Sequence, residues 1–244
     1  MDCGTRARKQ EERHGKGPLE QIRLTDNPEV EVVLRRSARA KRLSLRVSRL
    51  DGRVTMTLPR GVSLRAAQSF ADEKAEWIGK AVDRSVVPVT VCQGTEIMLE
   101  GQTFRIGPAK SRSARVIRES ILAPVGREGP AIKALFKTLA RSRLSVAVDG
   151  FADELGKSAG RVTLRDTRSR WGSCTSEGNL MFSWRLIMAP PEVLSYVAAH
   201  EVAHLVHLDH SKAFWSLVEE LFPDYQAQRL WLREHGPGLH RYQF

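Results

Sequence analysis

Residues 200–210 of this 244-residue chain read His-Glu-Val-Ala-His-Leu-Val-His-Leu-Asp-His. The preceding Pro190-Pro191 pair predicts a helix that begins there and runs through His200. On such a helix His200 and His204 lie about 40° apart around the axis and one turn apart along it, so both imidazoles can bind one ion. This spacing, with Glu201 beside it, is the zinc-binding pattern HExxH. We therefore expect Zn²⁺ as the cofactor, with Glu201 as the general base that acts on a metal-activated water.

A catalytic zinc site needs a third protein ligand. The residues available for this are His207, His210, Glu219 and Glu220. His207 lies about 10.5 Å from His200 along a straight helix, which is too far for a shared ion. His210 can bind if the helix ends within Leu205–Asp209, with Ser211 as N-cap of the next helix. We predict His210 as the third ligand and keep a carboxylate from the following helix as the alternative.

The first half of the chain carries short runs of alternating apolar and polar residues, which predict strands. Two such runs, Leu43–Ser48 and Val54–Leu58, flank Asp51-Gly52, a pair typical of hairpin turns. Ser63 is a predicted N-cap for a helix that extends to about Asp83. Further strands are predicted near residues 96–99, 103–106, 114–117 and 121–123.

The second half of the chain is dominated by helical patterns. The Gly- and Pro-rich stretch Pro124–Pro130 precedes a predicted helix over about 131–156, and further helices follow at about 211–222 and 224–234. Short strands are predicted near 161–164 and 180–187. We expect an α+β protein with a disordered tail at 1–25, a small mostly-β N-terminal lobe at 26–126, and a domain at 127–244 that contains the HExxH helix and a short sheet.

The composition is that of an ordinary globular protein, with 41% hydrophobic and 27% charged residues. No stretch is long and apolar enough to be a membrane-spanning helix, and the first eighteen residues lack the apolar run of a secretory signal. Three scattered cysteines argue against a disulfide framework. These features predict a cytoplasmic protein with no membrane contact.

The net charge of +11 is unevenly distributed along the chain. Residues 35–49 contain seven Lys or Arg and no acidic residue, whereas residues 200–244 contain four basic and six acidic residues. Such a cluster attracts polyanions. We expect weak contact with polyanions or nucleic acid through the N-terminal lobe, with a solvated sheet face as the simpler alternative.

Four segments together resemble the YgjP-like metallopeptidase family, with SprT-like and other minimal zincin domains as wider relatives. They are Arg170-Trp171-Gly172-Ser173-Cys174, Trp184-Arg185-Leu186, residues 200–215, and Pro223-Asp224-Tyr225. The resemblance covers residues 161–231 closely and the basic lobe more loosely. It implies a zincin-like domain in which His200, His204 and His210 bind the metal, Glu201 is the catalytic carboxylate, and the substrate is a peptide or protein.

The segment before the HExxH helix supplies further candidate site residues. Arg170 and Ser173 are candidates for contact with the substrate or with a carboxylate near the metal, although a turn packed by Trp171 explains the same residues. Cys174 as a thiol nucleophile accounts for fewer residues than the zinc site does. The predicted strand at 180–187 resembles the edge strand on which zincins bind an extended peptide.

Zinc-dependent peptide hydrolysis is the predicted function, and two alternatives stay open. One is a metal-dependent nucleotide pyrophosphatase of the UTP type, which the basic lobe suits, although the phosphate-binding pattern GxxxxGK[ST] is absent. The other is a nucleic-acid-binding module with a structural metal.

Overall fold

The computed structural model describes residues 20–83 and 85–244, and the chain divides into two compact units between Val87 and Pro88. The described residues form six α-helices, two 3₁₀ helices and thirteen strands in four small sheets, which is a mixed α/β architecture. None of the helices in these two ranges is long and apolar enough to cross a membrane.

The first unit is a four-stranded sheet with two helices on one face. Its elements are β1 (Gln21–Arg23), β2 (Glu31–Arg36), β3 (Ser44–Val47), β4 (Val54–Leu58), α1 (Leu64–Glu73) and α2 (Ala75–Asp83). The strand order is β1-β2-β4-β3, with β2 and β4 parallel and the other two pairs antiparallel. Alternate side chains of β2 and β4 pack with side chains of both helices in one core, because successive residues of a strand face opposite sides of the sheet.

The N-terminal part of this unit differs from its prediction. Residues 1–19 of the expected disordered tail lie outside the described residues, but the tail was predicted too long, because Gln21–Arg23 pairs with β2. Leu24 is buried in the core and holds this segment in place. Strands β1 and β2 were not predicted from the sequence.

The helix predicted from Ser63 to Asp83 is also different in the structure. Ser63 caps α1 as expected, since its hydroxyl accepts a hydrogen bond from the Ala66 N–H at 3.2 Å. The helical run is broken at Lys74, whose N–H donates to Ala71 O at 3.1 Å. The lobe predicted to hold one helix therefore holds two.

The second unit contains the remaining elements. They are β5 (Val89–Thr90), β6 (Glu96–Leu99), β7 (Gln102–Ala109), β8 (Arg115–Ile117), β9 (Ser120–Pro124), α3 (Glu128–Glu154), β10 (Val162–Arg165), β11 (Gly172–Cys174), β12 (Leu180–Ser183), α4 (Pro191–Ala203), α5 (Lys212–Leu221), α6 (Tyr225–His235) and β13 (Tyr242–Gln243), with 3₁₀ helices at Trp184–Met188 and Gly236–His240. The strand orders are β6-β7-β9-β8, β10-β12-β11 and β13-β5.

The long helix α3 joins the two halves of this unit into one core. Its buried stripe, which includes Ile132, Phe136 and Leu144, belongs to the same hydrophobic cluster as Ile97 and Ile121 of the preceding sheet. The domain boundary predicted at 126/127 therefore falls inside the second unit. Composition suggested that boundary, whereas shared burial across it joins the sheet to the helix.

The strand predicted at 180–187 is shorter in the structure. Strand β12 ends at Ser183, and Trp184–Met188 forms a 3₁₀ helix whose five residues are all buried. A continuous buried apolar run does not distinguish a strand from a helix, which explains why the sequence pattern misplaced this end.

Candidate metal centre

Helix α4 ends at Ala203, and the chain then turns back on itself. The N–H groups of residues 206 and 207 both donate to the Ala203 carbonyl at 3.1 Å. The Asp209 carboxylate accepts a hydrogen bond from the Ser211 N–H at 3.2 Å, and Ser211 caps the start of α5. The break comes slightly earlier than the predicted range. It brings His210 back over the end of α4.

Three imidazoles converge at this turn. In the described ranges, His200, His204 and His210 form a group whose candidate ligand atoms all lie within 4.8 Å of one another. The Nε2 atoms of His200 and His210 are 3.2 Å apart. Two nitrogen ligands of a tetrahedral zinc, each about 2.0 to 2.1 Å from the ion, are separated by about 3.3 Å. The three donors therefore fit a metal ion.

The tautomer of His204 is fixed by the turn itself. The His204 Nδ1 atom lies 2.8 Å from the carbonyl oxygen of His207, so Nδ1 carries the proton and donates it. Nε2 is then the free donor, as in metal sites whose histidines bond a backbone carbonyl. His207 contributes its main chain to this contact, and its side chain is not part of the imidazole group.

Aromatic rings from two helices pack around the imidazoles. Phe214 of α5 is fully buried, and its ring centroid lies 4.4 to 5.0 Å from those of all three histidines. The Trp215 and Tyr196 rings lie 5.6 and 6.0 Å from that of His200. These rings were not predicted to lie at the site. The spacing of Tyr196 four residues before His200 was the available signal, since such residues are neighbours on a helix.

Burial keeps the imidazoles of His200 and His204 neutral. It lowers the pKa of His200 to about 3, and the charges of His204 and His210 act in the same direction. Burial also lowers the pKa of His204. Nδ1 of His200 is buried and has no hydrogen-bond partner among the described residues. Metal binding requires neutral imidazole, so the environment favours the form that binds.

Glu201 is a buried carboxylate next to the histidines. Glu201 is only 5% exposed. Burial raises the pKa of its carboxyl group to about 8, and the positive charge of Arg170 acts in the opposite direction. A raised pKa makes the carboxylate a stronger base than an exposed glutamate. Gly172 of β11 lies directly against this side chain. A Cβ atom added to Gly172 would lie 2.6 Å from Glu201 Cγ and 2.7 Å from Cδ.

These groups line a pocket of about 230 Å³. Its lining residues are Gly172, Ser173, Cys174, His200, Glu201, His204, Leu208 and His210. Ser173 thus lies at the site, whereas Arg170 is exposed and influences Glu201 through its charge. Burial raises the pKa of Cys174 to about 11, and the nearby Glu201 adds to this. Cys174 therefore carries a thiol rather than a nucleophilic thiolate at neutral pH.

The strand that borders the pocket is not the one expected from the sequence. β12 lies in the middle of its sheet, between β10 and β11, so it has no free edge. Its neighbour β11 lies at the edge of this sheet and contributes three residues to the pocket. Trp171 O accepts from the Ser183 N–H, and the Thr175 N–H donates to Asn179 O. Because hydrogen-bonded pairs alternate in antiparallel ladders, the main-chain groups of residues 172 and 174 point away from β12.

The second unit is a mixed α/β fold that gathers three imidazoles and a buried carboxylate in one pocket, which is the arrangement of a metal-binding hydrolase. The family model of the YgjP-like metallopeptidase domain matches residues 41–235, and the chain belongs to that family. This membership supports a metal-dependent peptidase in general terms.

One solved structure is also similar in part. It is the metallopeptidase zymogen of Pyrococcus abyssi abylysin, which is 24% identical and aligns with a TM-score of 0.34 over 38% of this chain and 92% of that chain. No curated protein sequence matches this chain.

Proposed function

We propose that this protein is a zincin-type zinc metallopeptidase in which His200, His204 and His210 hold the ion and Glu201 is the general base. The observation that carries the proposal is the convergence of three imidazoles beside a buried carboxylate in one pocket. Three histidine ligands that leave a fourth position for water are typical of catalytic rather than structural zinc. Glu219 and Glu220 are exposed on α5 and lie outside this group.

The chemistry divides between the ion and the chain. When bound, zinc polarises a substrate carbonyl and makes water more acidic. The Glu201 carboxylate takes a proton from the attacking water and passes it to the nitrogen of the leaving amine. The burial of Glu201 serves both steps, because a raised pKa makes the group a competent base and then a competent acid.

The free edge of β11 suits a peptide substrate. An extended peptide that adds to this edge would bond the outward main-chain groups of Gly172 and Cys174. Its scissile bond would then lie next to Glu201, which Gly172 contacts. We assign Ser173 to substrate contact at this edge and Arg170 to the charge balance of Glu201. Peptide hydrolysis is favoured over nucleotide pyrophosphate hydrolysis because the pocket offers a strand edge and its described lining residues include no Lys or Arg.

We also propose that the basic cluster at 35–49 attracts polyanions weakly, since the charge of +11 is concentrated in the first unit. Zinc as the particular ion and the cytoplasm as the location are further proposals from the sequence.

The test uses the purified full-length protein. Metal analysis should find close to one zinc per chain, and casein should be cleaved. A chelator should abolish the cleavage and added zinc should restore it. UTP is assayed in parallel. Turnover of UTP without cleavage of casein or of short unstructured peptides would refute the peptidase proposal, and so would zinc-independent cleavage.

A further inference from the structure

The sheet of the first unit has one covered face and one open face. Val32 and Leu34 of β2, and Val54, Met56 and Leu58 of β4, are buried against the helices. The residues between them on each strand must point the other way. These outward residues include Arg35 on β2, Arg46 on β3 and Arg53 just before β4, and all three are exposed.

These three arginines make no ion pair with any residue in 20–83 or 85–244. Glu31 is the acidic residue on the outward side of the paired strands, and it bonds Arg23 at 2.7 Å. Arg36 from the same cluster is used inside the unit, because it bonds Glu20 and the carbonyls of residues 60 and 62. The guanidinium groups of the three arginines are thus not paired with an acidic side chain of the described residues, and the Asp51 carboxylate accepts from the main-chain N–H of Arg53 at 3.4 Å.

Hydroxyl groups lie between the arginines. The strand register places Thr57 between Arg35 and Ser44, and Thr55 beside Arg46. Adjacent strands are about 4.8 Å apart and alternate residues of a strand about 6.8 Å apart, so the Cα atoms of the three arginines span roughly 12 to 14 Å. Arg, Ser and Thr are side chains that bond phosphate oxygens in protein complexes with duplexes.

We infer that this open sheet face binds the phosphate backbone of double-stranded nucleic acid, without reading its sequence. The inference rests on the proposed attraction of polyanions and assigns it to one surface. A duplex is favoured over a single strand because the outward positions of β1 to β4 carry no aromatic residue, and single strands are bound by base stacking on aromatic side chains. Val33 is the one apolar residue among the outward positions of β1 to β4, so this described face offers no apolar patch for a protein partner.

The experiment measures binding of the full-length protein to a fluorescent DNA duplex of about 20 base pairs at several salt concentrations. The test variant is Arg35→Gln/Arg46→Gln/Arg53→Gln. The matched control is Arg39→Gln/Lys41→Gln/Arg42→Gln, which removes the same charge from the exposed loop between β2 and β3. Circular dichroism and thermal unfolding confirm that both variants fold. A single strand of equal length and polyglutamate serve as competing probes.

The face variant should bind the duplex at least about tenfold more weakly at low salt. The slope of its affinity against salt concentration should correspond to about two to three fewer phosphate contacts. The loop variant should lose about threefold or less. Equal losses in both variants would assign the effect to net charge and overturn the surface. Tighter binding of the single strand or of polyglutamate would overturn the choice of partner. If the wild-type protein binds none of the probes, the polyanion proposal itself fails.

Discussion

Gly172 and Glu201 are in direct contact, although 29 positions separate them in the sequence. The edge strand β11 passes so close to helix α4 that a methyl group on Gly172 would overlap the Glu201 side chain. Glu201 is only 5% exposed, so a methyl group at position 172 would displace its side chain within the site. Glycine at position 172 therefore sets the position of the carboxylate relative to the strand edge.

We predict that Gly172→Ala lowers kcat/KM on a peptide substrate by about tenfold or more, because displacement of a catalytic group by about 1 Å has effects of this size. Zinc content should be unchanged, since the three histidines are not touched. Gly150→Ala is the control, because Gly150 lies exposed in α3 with nothing within 4 Å of an added Cβ. A Gly172→Ala enzyme with normal turnover would show that the contact does not position Glu201.

Glu201→Gln should retain zinc and lose about 10² to 10⁴ in kcat, which is the usual contribution of a positioned general base. Glutamine keeps the shape of the side chain but cannot accept the proton from water. Zinc analysis and initial rates on casein measure the two effects separately. If the variant loses its metal as well, the lost rate cannot be assigned to proton transfer, and Glu201→Asp then serves as the comparison.

His210→Ala should lose most of the bound zinc and all activity, whereas His207→Ala should keep both. His210 Nε2 lies 3.2 Å from His200 Nε2, in the position of a third donor. His207 holds His204 through its main-chain carbonyl, which alanine preserves. Zinc content after dialysis against a weak chelator measures the difference. The reverse result would mean that the turn after Ala203 closes differently around the metal.

The parts of the site that depend on neighbours in sequence could be predicted. The pairing of His200 with His204 follows from helix geometry, and the turn that returns His210 depends on short-range bonds made by Asp209 and Ser211. The contact between Gly172 and Glu201 could not be predicted, because it arises where a strand packs on a helix. A glycine in a strand indicates a close approach without saying to what.

The same distinction applies to the fold. The hairpin at Asp51-Gly52 was predicted from its residues, and the structure pairs β3 with β4 across it, with a φ of 67° at Gly52. The domain boundary was misplaced because the Gly- and Pro-rich stretch at 124–130 is only a local signal. Phe136 belongs to the core that contains Ile121 of the sheet before this stretch. Packing between residues that are distant in sequence cannot be recognised from local composition.

His240 lies in the second unit beside Trp171, with the two ring centroids 5.2 Å apart. Burial lowers the pKa of His240 from 6.5 to about 4, and the charges of Arg185 and Arg168 act in the same direction while Asp166 opposes them. Between these two pH values the unfolded chain binds the proton and the folded chain does not. The stability that His240 contributes to the free energy of unfolding is therefore fully present above about pH 6.5 and is lost as the pH falls toward about 4.

Replacement by phenylalanine keeps a ring beside Trp171 and removes the titration. We expect the free energy of unfolding of His240→Phe to fall less than that of the wild type between about pH 7.5 and about pH 5. Urea unfolding in a chelator, which prevents metal release from complicating the curves, measures both proteins at each pH. The buried imidazoles of His200 and His204 titrate in both proteins, so their effect cancels in the comparison. The pKa of Asp166 is lowered from its ordinary value of 3.8, so Asp166 changes its protonation state below this pH range. Parallel losses of stability in the two proteins would show that His240 takes up its proton in the folded state as readily as in the unfolded chain.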